Sequence, residues 1–218
     1  MKERILLLGP PASGKGTQAD LIEKQFRLSH VSMGALLRSE IAKRTALGLK
    51  IHQEMNQGKL LSDDLVISIM ALWMKDHESR FVFDGFPRTV GQAKALDQEL
   101  EKRGESLDLI LLLELSLEEA KKRMADRLSC PHCGASFSRH RDSLNVGNSC
   151  PRCHKALLGR RDDDKEEVLQ ERFHLYQKTM KPIKEYYQRR IPKRFYSIDA
   201  RKESNEVYSE ISALLTSS

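Results

Sequence analysis

Near its start the chain runs from a short apolar stretch through a glycine turn into a helix. Arg4-Ile5-Leu6-Leu7-Leu8 leads into Gly9-Pro10-Pro11-Ala12-Ser13-Gly14-Lys15-Gly16-Thr17, and Gln18-Ala19-Asp20-Leu21-Ile22-Glu23-Lys24-Gln25 follows. The turn matches G-x-x-x-x-G-K-[ST], except that Gly16 stands between Lys15 and Thr17. Strand, glycine loop and helix in this order form the context in which backbone N–H groups and the positive end of a helix cradle a polyphosphate. Lys15 is then placed to reach the outer phosphates, and the Thr17 hydroxyl faces the phosphate and Mg2+ region. A mere glycine turn with a chance Lys-Gly-Thr is disfavoured by the flanking strand and helix.

The rest of the chain continues the alternation. Strands are expected at Leu28–Ser32, Phe81–Phe83, Leu107–Leu115 and Arg194–Ile198. Between them helices are expected at Met33–Lys43, Arg44–Gly58, a stretch capped by Ser62 that runs to Lys75, Val90–Arg103, Leu117–Arg127, Lys165–Arg189 and Asn205–Leu215. The helix after Ser62 offers Leu65, Ile67, Ile69, Met70 and Trp73 as core residues, with Trp73 read as packing rather than as a cofactor platform. Alternating strands and helices imply α/β architecture: a five-stranded parallel sheet in three α/β/α layers.

The 218 residues suit one such domain with insertions. No apolar run approaches the roughly 18–20 residues of a membrane span. The first residues lead straight into a strand and leave no room for a signal peptide, so the cytoplasm is the expected compartment. A net charge of +6 suits an anionic partner or an ordinary basic surface equally. Aromatic residues make up only 6% and do not interleave with basic ones, which gives no sign of stacking on single strands.

All four cysteines lie in one polar stretch from Leu128 to Leu158, as Cys130-Pro131-His132-Cys133 and Cys150-Pro151-Arg152-Cys153. Two C-x-x-C turns 16 residues apart fall within the spacing of a four-cysteine zinc site. A closed tetrahedral site has no open position for water, so the metal is read as structural Zn2+, standing in for a core this segment cannot build. His132 and His154 are alternative ligands, which four cysteines make unnecessary. A redox dithiol leaves one pair unexplained. A ribbon that binds nucleic acid through Arg139, His140, Arg141 and Arg152 is a rival reading of the same segment.

At the end of the Phe81–Phe83 run stands Asp84-Gly85-Phe86-Pro87-Arg88-Thr89. Asp84 there can hold Mg2+ or its waters, and Arg88 can fork onto a phosphate. Arg123 and Arg127 lie four apart and are expected on one helix face. Arg160-Arg161-Asp162-Asp163-Asp164 flanks the cysteine segment, and Arg172 follows. Phosphoryl transfer accounts for the set. Its transition state spreads charge over phosphate oxygens and leaves the protein little covalent work. A phosphate acceptor is already largely ionised at neutral pH and needs no general base. It needs cations to overcome anion repulsion, and the exclusion of water.

These motifs resemble the adenylate kinase family in its long-lid, zinc-binding form, over residues from Ile5 to about Asp199. The likeness rests on the Gly9–Thr17 loop, on Asp84–Thr89, on Gln92 at the adenine-reading position, and on Arg123, Arg127, Arg161, Asp163 and Arg172. It implies a CORE of residues 1–31, 62–127 and 161–218, a monophosphate-binding insert at 32–61 and a metal-bearing mobile lid at 128–160. It implies the reaction of ATP with AMP to two ADP with Mg2+, by a monomer with no nucleic-acid or membrane partner. Catalytic roles would fall to Lys15, Arg88, Arg123, Arg127, Arg161, Asp163 and Arg172. Gly9–Thr17 with Arg123 and Arg127 would bind ATP. Met33, Arg38, Gly85, Arg88, Gln92, Arg161 and Arg172 would bind AMP. Thr17 and Asp84 would accompany Mg2+, and Cys130, Cys133, Cys150 and Cys153 would bind zinc. The chain departs from the family where S-T-G-D is usual: it has Ser32-Met33-Gly34-Ala35, which replaces a hydroxyl with a weakly accepting thioether. It departs again at Ala12, where glycine is usual and where alanine fits easily only with φ below zero.

Overall fold

Residues of β1 (Arg4–Leu8) are sorted between two cores by the two-residue period of a strand. Leu6 and Leu8 point to one face with Val31, Phe81, Phe83, Ile110 and Leu112. Ile5 and Leu7 point to the other with Val82, Leu109, Leu111 and Leu113. The strand is buried on both sides, which is why its sequence is an unbroken apolar run. The computed structural model describes residues 2–56, 61–77, 80–161 and 164–217.

The main sheet has five strands in the order β2-β3-β1-β4-β7, with every adjacent pair parallel. Its other members are β2 (Ser29–Ser32), β3 (Phe81–Asp84), β4 (Leu109–Glu114) and β7 (Phe195–Asp199). One core is closed by α1 (Lys15–Phe26) and α8 (Ser204–Thr216), through Ala19, Ile22 and Phe26 and through Val207, Ile211 and Leu215. The other is closed by α4 (Asp63–Asp76), α5 (Val90–Glu101) and α7 (Glu166–Arg190). This is the expected three-layer α/β/α fold. β1 feeds a helix on one face of the sheet and its neighbour β3 feeds a helix on the other, so a crevice opens beyond their carboxyl ends, where ligands of open α/β sheets bind. Among the described residues no helix is long and apolar enough to cross a membrane.

Two segments stand outside these layers. After β2, α2 (Met33–Ala42) packs on α3 (Ala46–Asn56). Gly48 permits the approach: a Cβ there would lie 2.5 Å from the Glu40 carbonyl oxygen. The glycine-led stretch Gly58-Lys59-Leu60-Leu61, where the sequence breaks the helical pattern before Ser62, falls largely outside the described residues. After α6 (Leu117–Asp126), β5 (Arg127–Ser129) pairs antiparallel with β6 (Ser136–Ser138). Bridges Ser129–Gly159 and Ser149–Leu157 complete this cysteine-bearing insert around a small core of Leu128, Cys130, Cys150 and Leu158.

Some local expectations are corrected. Ser62 stands at the N-cap of α4, but its side chain makes no capping bond. The buried stripe of α4 is Val66, Met70 and Met74, with Leu65, Ile67, Ile69 and Trp73 flanking it half-buried, because the helix is rotated relative to the run read from sequence. Trp73 meets Phe81 and Phe83 edge-on and stacks with His77, while also forming part of the cavity wall described below. Arg127 does not share a helix face with Arg123: it is extended, at φ −73° and ψ 134°, and opens β5.

Candidate active site

The loop from Gly9 to Thr17 bends because Gly9 adopts φ +146°, where a Cβ would meet the Leu113 carbonyl oxygen at 2.6 Å and Ser13 Oγ at 2.8 Å. No other residue fits there. Gly14, at φ +87°, caps α1, so Lys15 is its first helical residue. The Lys15 ammonium turns back into the loop and donates to the carbonyls of Gly9 at 2.9 Å and Pro10 at 2.7 Å. Burial brings its pKa down to about 8. Asp84 opposes that fall, and the charges of Arg88, Arg172 and Arg127 add to it.

Ala12 does not meet the condition under which alanine fits easily, since its φ is +61°. A left-handed alanine costs about 1–2 kcal/mol, so Ala12→Gly is expected to raise stability by about 0.5–1 kcal/mol after the extra freedom of the unfolded glycine is counted. A thermal melt checks this, and an unchanged or lower midpoint would refute it.

The end of β3 faces this loop. A Cβ on Gly16 would lie 3.4 Å from Asp84 Oδ2, so the carboxylate stands against the loop backbone. Burial disfavours its charge, but His30, Lys15 and Arg88 together hold the Asp84 carboxyl below its ordinary range. His30 lies between two acids: Nδ1 is 2.9 Å from Asp20 Oδ1, and Nε2 is 3.8 Å from Asp84 Oδ2. The first is a hydrogen bond and the second, too long for one, is a charge contact. Burial works against the charged ring, yet the two carboxylates raise its pKa to about 9 and keep it an imidazolium at neutral pH. Arg88 Nε donates to the Gly85 carbonyl at 2.9 Å. Its backbone N–H donates to Gln92 Oε1 at 2.8 Å, while Gln92 Nε2 donates to Asp63 Oδ1 at 2.8 Å. Asp63, in the first turn of α4, also accepts from Thr89 Oγ1 at 2.7 Å and so ties α4 to α5.

A cavity of about 830 Å³ joins these elements. Its wall includes Lys15, Thr17, Arg38, Gly85 and Asp84 and the guanidinium-bearing residues Arg88, Arg123, Arg127, Arg161 and Arg172. Arg123 Nη2 donates to the Ala200 carbonyl at 2.7 Å. Arg127 is paired with Asp164, whose side chain is nearly buried. Arg161 Nη2 reaches the Gly134 carbonyl at 3.2 Å and Ser136 Oγ at 3.0 Å. Met33 and Gln92, 2% and 1% exposed, lie behind the wall, as does buried Pro10. Asp163 lies outside the described residues.

The four cysteines are free thiols whose sulfurs all lie within 4.8 Å of one another. Cys130 Sγ is 3.6 Å from Cys153 Sγ, and Cys133 Sγ is 3.7 Å from Cys150 Sγ. A tetrahedral ion with bonds of about 2.3 Å needs sulfur–sulfur edges of about 3.8 Å, so the donor set fits Zn2+. Backbone N–H groups of Cys153 and Arg152 stabilise the Cys150 thiolate against its burial. Removing the metal from the purified protein is expected to lower the melting midpoint by several degrees or more and to unfold this insert first, since so small a core cannot hold it. Identical melts with and without chelator would refute a structural metal.

The comparisons with known proteins agree with this geometry. The adenylate kinase family profile matches residues 7–191. An adenylate kinase of Clostridium tetani is 39% identical over 213 residues, covering 97% of both chains. That of Archaeoglobus fulgidus is 37% identical over 213 residues, again 97% of each, and that of Finegoldia magna is 40% identical over 186 residues, covering 84% of this chain and 86% of its own. The chain belongs to the adenylate kinase family. Within this adenylate kinase fold, the sequence assigned no role to Asp20, Glu23 and His30, which line the cavity, or to Asp164 behind Arg127, and it marked Arg152 only as part of a possible nucleic-acid ribbon. An ionisable residue in a strand next to the phosphate loop, as His30 is, was the available clue. The others meet only through long-range packing.

Proposed function

We propose that the protein is an ATP:AMP phosphotransferase, interconverting ATP and AMP with two ADP in the presence of Mg2+. The observation that carries this is the convergence of Lys15, Asp84, Arg38 and the five other arginines named above on one cavity large enough for substantial ligands. The phosphate loop binds the donor chain. Arg123 and Arg127 complete the donor side, Arg38 and Arg88 take the acceptor phosphate, and Arg161 and Arg172 bridge the two. Lys15 and the arginines neutralise the charge that develops on the transferred group, and no general base is required. The hydroxyl of Thr17 and the ionised carboxylate of Asp84 are hard oxygen donors suited to Mg2+ or its waters, which would offset charge between the phosphates. Asp163 is assigned to the same centre on the resemblance alone.

The domain reading follows the same division: a CORE of 1–31, 62–127 and 161–218, an acceptor insert at 32–61 and a zinc-stapled lid at 128–160 that shuts out water. For the acceptor, Gln92 keeps one amide N–H and one oxygen lone pair beyond its present bonds, which is the pattern adenine can pair with. Met33 and Gln92 are both buried beside the cavity rather than lining it, so acceptor choice is assigned to Gln92 on the resemblance and on its amide chemistry. The reading carries with it a cytoplasmic monomer without nucleic-acid or membrane partners.

A coupled assay for ADP with ATP and each of AMP, GMP, CMP and UMP tests it. AMP is expected to be phosphorylated at least tenfold faster than the others, because a site built to hydrogen-bond one base leaves polar groups unpaired with the wrong one. ADP formation with none of the four would overturn the proposal.

A further inference from the structure

Arg152 ties the cysteine-bearing insert to α1. It sits inside the second C-x-x-C turn, and its backbone N–H supports the Cys150 thiolate, so the turn that gathers the sulfurs also fixes where Arg152 starts. Its side chain crosses to the helix that begins with Lys15 and carries Thr17. Nη1 lies 2.9 Å from Asp20 Oδ2 and Nη2 lies 3.7 Å from Glu23 Oε2. Asp20 and Glu23 stand three apart and share one face of α1. The other oxygen of Asp20 is held by His30, so the carboxylate is already oriented when Arg152 arrives. All four residues line the cavity, so the insert cannot swing off α1 without breaking the pair.

We propose that Arg152 is a positioning residue for phosphoryl transfer: by pairing with Asp20 and Glu23 it latches the cysteine-bearing insert over the donor phosphates. This rests on reading the cavity as a nucleotide site. A pair made only in the closed arrangement favours that arrangement and raises donor affinity in proportion. The residues are partly exposed, so the effect is that of a surface ion pair, a few-fold at most, and it is screened by salt.

The test is calorimetric binding of ATP without acceptor, with steady-state kinetics beside it, on the metal-loaded protein. Arg152→Ala is expected to weaken ATP binding about threefold to fivefold and to raise KM for ATP more than it lowers kcat. Arg152→Lys should recover part of the loss. Asp20→Asn should weaken binding similarly, and the double variant should be little worse than either single one. In about 1 M salt, where screening is nearly complete, the wild type should lose its advantage. Unchanged affinity in Arg152→Ala, or losses that multiply in the double variant, would overturn the latch. If Arg152→Ala loses its metal, Asp20→Asn decides alone, and unchanged ATP binding there overturns it. Failure of the wild type to phosphorylate AMP would instead sink the kinase reading and leave this binding measurement intact.

Discussion

Lys15→Met lowers turnover by about a thousandfold or more while the chain still melts cooperatively. A single preorganised donor at a developing anion is worth about 10²–10³ in rate, and Lys15 adds a full charge at the outer phosphates. Its ammonium is held inside the loop by two carbonyls, and its pKa is drawn down to about 8, so it remains largely protonated at neutral pH. Methionine keeps the length of the stem and removes the charge, which separates electrostatics from packing. The coupled assay and a thermal melt read the two effects. A rate within tenfold of wild type would show that Lys15 does not act on the transferred phosphoryl group.

Arg88→Ala costs about 3–4 kcal/mol in kcat/KM, or about 10²–10³-fold, with the loss shared between kcat and KM for AMP. Arg88 is fixed from both sides. Its backbone N–H is held by Gln92 and its Nε by the Gly85 carbonyl. The side chain lines the cavity, where an acceptor phosphate would meet it. Arg88→Lys should restore only part of the activity, because an ammonium lacks the planar fork. A loss under tenfold for the alanine variant would place Arg88 in a purely structural role at the end of β3.

The strand–loop–helix at the start of the chain was legible because its signals are local: an apolar run, glycines at fixed offsets, and a lysine at the first helical position. The same holds for the central sheet, where the runs at Phe81 and Leu109 are apolar on both faces. The rotation of α4 was not legible. Its apolar residues nearly encircle the helix, and only packing into the core on that face of the sheet selects Val66, Met70 and Met74 as the buried stripe. Arg127 was placed on a helix because the helical pattern runs through it, yet pairing with β6 and the bond to Asp164 draw it into a strand.

Sequence by itself determined the layers, the phosphate loop and the sulfur quartet, because each is written in local patterns along the chain. Tertiary structure alone decided that Arg152, from the cysteine segment, meets Asp20 on the first helix 132 residues away. It alone decided that His30 stands between Asp20 and Asp84, and that Met33 is withdrawn behind the wall while Gln92 is held by Asp63. Those contacts join charges carried on separate elements. Only the packing of helices against a parallel sheet brings such elements to one edge, and no local pattern records which side chains will meet there.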